Sequence, residues 1–364
     1  MAFEYLARLD RARERTSEAG LDGLVLAVGP DLLYLAGYDA PALERLTTLV
    51  VRPGDPVLVV PELEEPRARV AVGETLEVVT WSDGQDPYEV VARLIPPDAG
   101  GIGVSEQLWA AHLLALQGVL PEARFVPASN VLAPLRARKE QGEIDLLRRA
   151  ARAADEAFNR IVRETLAGRT EHDVARLLGE HLEDAGHDAV AFTIVGSGPN
   201  GASPHHEPGD RGIRAGDALV MDFGGQVQGY CSDITRTVSV GPASEELAEV
   251  HDIVRLAQEE AFKTAGPGVP AEEVDRAARS VIEEAGYGDV FVHRTGHGIG
   301  LELHETPYIV AGNREPLEVG NCFSIEPGIY LDGRFGVRIE DIVAITEEGA
   351  VRLNHATRDL VVVA

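Results

Sequence analysis

Four carboxylates stand in this chain where apolar residues would be expected. Asp222 follows the apolar run Leu219–Met221 and precedes glycines at 224, 225 and 229. Asp233 opens a second strand-like run, DITRTVSV. The pattern predicts two strands joined by a tight turn over 219–240. A turn centred on Val227–Gln228 would set Asp222 opposite Asp233. Directly opposed residues have Cβ atoms about 5 Å apart, and like charges there repel. Partly buried carboxylates so placed need protons or a cation. Two solvated aspartates flanking a loop are the plainer alternative.

The other two carboxylates lie in FSIEPGIYLDGRFGVRIEDIVAIT, residues 323–346. Glu326 precedes Pro327, which biases it toward an extended conformation. Asp332-Gly333 is a hairpin-turn signal. A two-residue turn would place Glu326 opposite Ile339, and a three-residue turn opposite Glu340. Glu340 stands inside a run that otherwise reads as a buried strand, and charges there need partners.

Between these hairpins lies FVHRTGHGIGLELHETP, residues 291–307, with His293, His297 and His304. Neutral imidazole is a common metal ligand and an acid–base group. Glycines at 296, 298 and 300 argue against a helix, and no HExxH motif is present. A loop at 199–210 adds His205 and His206 side by side. Four carboxylates and one imidazole make an oxygen-rich site. Such a site suits two divalent cations of the Mn, Co or Zn type better than one tetrahedral zinc. Two metals about 3.5–4 Å apart can drive amide hydrolysis.

These groups need a scaffold. A length of 364 residues and 45% apolar content allow about two domains with sizeable cores. Residues 1–130 alternate helices and strands, which predicts a small α/β domain. A helix is expected over 3–19, strands at 47–51 and 56–60, and Pro134 as the end of this unit. Residues 131–364 show paired amphipathic helices between strand runs, an α+β pattern. In the first of these helices, Ile144, Leu147, Ala150, Ala151, Ala154 and Phe158 form one stripe.

The net charge is −27, from 33 basic and 60 acidic residues, which argues against a nucleic-acid partner. Only two cysteines occur, so no disulfide framework is implied. The charged N-terminus lacks a signal-peptide apolar region, and no run is long enough for a membrane span. A cytoplasmic protein with no membrane partner is expected.

MDFGG, CSDITRT, HRTGHGIGLELHE, SIEPGIY and VRIED, in this order, resemble the pita-bread metallopeptidases. The likeness is greatest to the proline-specific branch, prolidase (Xaa-Pro dipeptidase) and aminopeptidase P, and it extends over essentially the whole chain. The resemblance implies a pita-bread catalytic domain behind a creatinase-like N-terminal domain. It implies that Asp222 chelates one metal, Asp233 and Glu340 bridge both, and His297 and Glu326 hold the other. A hydroxide bridging the metals is the implied nucleophile, with Glu326 doubling as proton shuttle. His205 would sit on the substrate side, His304 would stabilise the oxyanion, and His293 would lie near the specificity pocket. Arg338 and Thr235 match groups that support the carboxylates. Arg314, in AGNREP, is a looser match, for the dipeptide's C-terminal carboxylate. Two divalent ions per subunit are implied, with Mn favoured, along with short proline-containing peptides as substrates and a homodimer. Aminopeptidase P, acting on longer peptides, is the alternative, and a non-catalytic peptide-binding protein the remote one.

Overall fold

A computed structural model describes residues 3–364. The chain forms two compact units, Met1–Arg136 and Ala137–Ala364.

The first unit is an α/β layer structure. Its six strands are β1 Gly23–Ala27, β2 Thr48–Val51, β3 Val57–Pro61, β4 Glu77–Trp81, β5 Gly101–Val104 and β6 Arg124–Pro127. They lie in the order β4-β3-β2-β1-β5-β6. The antiparallel pairs β1–β2 and β2–β3 sit among parallel neighbours. Helices α1 Tyr5–Glu18, α2 Pro30–Ala36, α3 Glu65–Val72, α4 Pro87–Ala92 and α5 Ala110–Val119 connect them. The apolar runs read as strands at 47–51 and 56–60 are indeed buried throughout β2 and β3. Helix α3 was not legible, because it buries only Ala68 and Val72 and leaves Val70 exposed; Pro66 is tolerated in its first turn. The first unit runs two residues past Pro134, to Arg136, and Pro134 does not interrupt the chain's helix. It lies inside α6, Ser129–Ala137, which is anchored by the buried residues Val131, Leu132 and Arg136. That anchoring outweighs the one backbone hydrogen bond a proline removes.

The second unit repeats one plan twice. Helices α7 Gln141–Ile161 and α8 Glu171–Asp184 precede β7 Ala189–Ser197, β8 Ala218–Val227, β9 Tyr230–Cys231 and β10 Ile234–Val240. Helices α9 Glu245–Thr264 and α10 Ala271–Glu284 precede β11 Gly296–Gly298, β12 Glu305–Ile309 and β13 Cys322–Ile325. The chain ends with β14 Gly328–Leu331, β15 Phe335–Arg338, β16 Asp341–Thr346, β17 Gly349–Arg352 and β18 Val362–Val363. One sheet runs β18-β10-β8-β7 with β9 on β8, and the other runs β12-β11-β13-β16-β17. The predicted stripe of α7 is buried, with Ala150, Ala154 and Phe158 at 1% exposure or less. It packs with α8 against the first sheet, and α9 and α10 pack against the second. Burying a side chain such as Phe158 contributes roughly 1.5–3 kcal/mol. Among the described residues, no helix is long and apolar enough to cross a membrane.

Candidate active site

Positions within and just beyond the two sheets' central strands bring the polar groups together. β8 is buried along its length except at Asp222 and Gln226. The β8–β9 turn is Gln228–Gly229, with φ values of 51° and 82°, as a two-residue type I′ turn requires. The turn therefore lies one residue later than expected. Asp222 faces Thr235, not Asp233. Asp233 sits just before β10, on the diagonal from Asp222. The link from β9 to β10 still approaches β8 closely there, since a side chain at Gly224 would collide with the Ser232 carbonyl.

The second hairpin takes the three-residue turn. Leu331 pairs with Phe335 and Gly328 with Arg338. Ile325 pairs with Asp341 in the adjoining ladder. Glu326 and Glu340 fall in the gap between these two ladders, in the same register, and so face each other. His297 comes from the middle of β11.

The resulting cluster is dense. His297 Nε2 lies 3.6 Å from Asp233 Oδ2 and 3.3 Å from Glu326 Oε1. Asp233, His297 and Glu340 each offer an atom within 4.8 Å of the others. Arg338 Nη2 donates to Asp222 Oδ2 at 2.6 Å, and its Nε donates to Thr235 Oγ1 at 3.1 Å. The Thr235 hydroxyl in turn donates to Glu340 Oε2 at 2.6 Å. Ser324 Oγ donates to Glu326 Oε1 and receives the His297 N–H, at 3.1 and 3.0 Å.

The electrostatics are those of crowded anions. Burial, then the charges of Glu340, Asp222 and Glu326, drives the Asp233 carboxyl far above its usual range. Burial, then Glu326 and Asp222, does the same to Glu340. Burial pushes Glu326 up to about 7 and His297 down to about 3. One buried arginine does not satisfy the set. Asp222 Oδ1, Asp233 Oδ1 and Glu340 Oε1 are buried with no hydrogen-bond partner among the described residues. Orphaned anionic oxygens converging beside a neutral imidazole fit hard divalent cations.

Further candidates surround the cluster. His293 Nε2 meets the Tyr330 hydroxyl at 2.7 Å, and Arg338 Nη1 donates to the same oxygen at 2.9 Å. The His304 ring packs against the His297 ring, centroids 4.1 Å apart. His205 is exposed. Its neighbour Pro204 offers a carbonyl 3.5 Å from Arg338 Nη1, and His206 is tied to buried Glu171 at 2.8 Å. Arg314 is not brought to the cluster. Its side chain is 86% exposed and lies 3.4 Å from Glu272 at the start of α10, because the 310–316 loop turns toward that helix.

Some supporting residues were missed. Tyr330 links His293 to Arg338, and spacing gave no hint of it. Arg236 was missed as well, although a charge inside the strand-like run DITRTVSV could have signalled it. It is buried, donates to the Thr235 and Glu340 carbonyls, and pairs with Asp341 at 2.7 Å. Burial alone would raise the Asp341 carboxyl, but Arg236 and Arg358 outweigh it and hold it low.

A buried donor set of this kind, with imidazoles at its rim, defines a metal-dependent hydrolase. The chain belongs to metallopeptidase family M24: residues 145–347 match that family, and residues 8–138 match the creatinase/prolidase N-terminal domain. The second unit thus has the pita-bread fold. The chain is 48% identical to a probable dipeptidase, PepE, of Mycobacterium tuberculosis, over 99% of this chain and 96% of that one. It is 35% identical to the Xaa-Pro dipeptidase of Lactobacillus delbrueckii subsp. lactis, over 97% and 98% of the two chains. The crystal structure of a prolidase from Thermococcus sibiricus superposes with a TM-score of 0.93 at 38% identity, covering 100% of both chains.

Proposed function

We propose that this protein is a di-metal Xaa-Pro dipeptidase. The observation that carries the reading is the set of orphaned oxygens on Asp222, Asp233 and Glu340 around His297 and Glu326. Asp222, Asp233, His297, Glu326 and Glu340 would together hold the two ions. Mn is the favoured metal. When bound, such a pair of ions supplies an activated water and polarises the scissile carbonyl.

The chain's own residues do the rest. Glu326, beside His297 in the cluster, is assigned to accept and return the proton. His304 is assigned to the oxyanion that develops on the carbonyl. Arg338 and Thr235 fix Asp222 and Glu340 through the hydrogen bonds described above. His205 and His293 are assigned to the substrate side. A bond to proline is a tertiary amide with no N–H and a fixed φ. A pocket that needs no N–H at that position can accept it, and relatives with the same architecture are named for that specificity. A cytoplasmic homodimer is the setting expected for this activity.

The test compares Ala-Pro with Ala-Pro-Ala, using metal-stripped protein with and without Mn²⁺ or Co²⁺. Metal-dependent cleavage of Ala-Pro alone is the expected result. Preferred cleavage of the tripeptide would make it an aminopeptidase P. No cleavage of either with metal restored would sink the proline-specific reading.

A further inference from the structure

We infer that the buried ion pair Lys139–Glu305 positions His304, an inference that rests on the oxyanion role proposed above for that histidine. Lys139 Nζ lies 2.5 Å from Glu305 Oε1, and the two side chains are 1% and 8% exposed. The residues are 166 positions apart in sequence. The chemistry assigned above uses neither of them. The only other lysine, Lys263, is an exposed helix residue paired with Glu260. Buried ion pairs add little stability over apolar residues of similar volume. What the pair does provide is a fixed point.

Both ends of that point are tied down. The Lys139 N–H donates to the Gly320 carbonyl at 2.9 Å. Gly320 approaches so closely that a Cβ there would lie 2.8 Å from the Lys139 carbonyl oxygen. On the other side, Glu305 opens β12, beside the register shift between His297 and Gly298. Gly300 packs over the pair: a Cβ on it would lie 2.6 Å from Glu305 Oε1 and 3.1 Å from Lys139 Cε. The segment 300–305 is therefore clamped at its first and last residues.

His304 needs such a clamp. No hydrogen bond reaches its ring among the described residues, and its one ring contact is with His297. Its aim is set by the main chain. His304 is the last residue of the bend before β12 and is bonded directly to Glu305. Holding the Glu305 side chain on Lys139 fixes the backbone from which the His304 ring reaches over His297. Misplacing a group that acts on the reacting atoms by about 1 Å can cost roughly 10²-fold in rate.

The test is a double-mutant cycle in kcat, run on the full-length metal-loaded enzyme with Ala-Pro. Lys139→Met is expected to lower kcat roughly 10²-fold, with KM and bound metal unchanged. In a His304→Ala background the same substitution is expected to lower kcat no further, because the group it positions is gone. A purely structural role would give the same factor in both backgrounds, and that result overturns the inference. If Lys139→Met does not fold, Glu305→Gln goes through the same cycle, with the same two outcomes decisive. An unchanged kcat in His304→Ala alone would remove His304 from the mechanism and this inference with it. Loss of bound metal in Lys139→Met would overturn the inference while leaving the His304 assignment standing.

Discussion

Arg338 Nη2 lies 2.6 Å from Asp222 Oδ2, and both side chains are nearly enclosed, at 4% and 13% exposure. The same guanidinium reaches Thr235 and Tyr330. One cation thus touches three of the elements that build the site.

Arg338→Lys is expected to lower kcat/KM or metal affinity by roughly 10–100-fold, the range for partners that orient metal ligands. A single ammonium cannot reproduce the fork that serves Asp222, Thr235 and Tyr330 together. Metal titration and kcat/KM on Ala-Pro would check this. Wild-type values for both would show that charge alone suffices.

Tyr330→Phe removes the oxygen shared by His293 and Arg338, 2.7 and 2.9 Å away. Two buried donors or acceptors then lose a partner, at a cost of about 1–3 kcal/mol. The expected outcome is a folded protein with a raised KM and intact metal content. A fall in bound metal instead would mean that Tyr330 acts through Arg338 alone.

Asp233→Asn should leave the protein folded and unable to hold two ions. Burial and three neighbouring carboxylates oppose charge on Asp233 in the metal-free protein. The neutral amide is therefore expected to raise the Tm of metal-stripped protein while abolishing metal-dependent activity. Elemental analysis and thermal melts read the two effects separately. Two tightly bound ions in the variant would remove Asp233 from the ligand set.

His251 gives a pH dependence away from the site. It is 2% exposed in α9, and burial holds its imidazole down at about 4. The folded form favours neutral imidazole. Its contribution is therefore complete above the unfolded value of about 6.5 and is lost as pH falls toward 4. The span corresponds to about 3 kcal/mol. Denaturant melts from pH 7 to pH 4.5 should show a shallower loss of stability in His251→Gln. Parallel curves for the two proteins would exclude this histidine as a source.

Much of this site can be read from the sequence because charged residues interrupt apolar strands. Asp222, Asp233, Glu326 and Glu340 each announce themselves in that way. The DG turn left two registers open for the second hairpin, and the structure takes the one that opposes Glu326 and Glu340. The first hairpin was misjudged because its turn is built on Gln228 at positive φ, a conformation glutamine does not advertise. Arg314 was misplaced because nothing in a loop's spacing says which neighbour it will lean on. Lys139 and Glu305 could not be paired from sequence at all. Ion pairing across 166 positions leaves no periodic trace; only the fold brings the partners together.

The Asp332–Arg334 turn sets one register for the pairs from Leu331–Phe335 to Gly328–Arg338 and, beyond the gap at Glu326 and Glu340, from Ile325–Asp341 to Cys322–Ala344. Removing one residue there would slide β15 by one step and swing Arg338 to the opposite side of its strand. Glu340 would follow unless the chain buckled. The positive φ of Gly333, 68°, restricts that one position, while Asp332 and Arg334 face no such demand. The turn acts as a ruler: among functional descendants of this chain its lettering is free to drift, and its length is not.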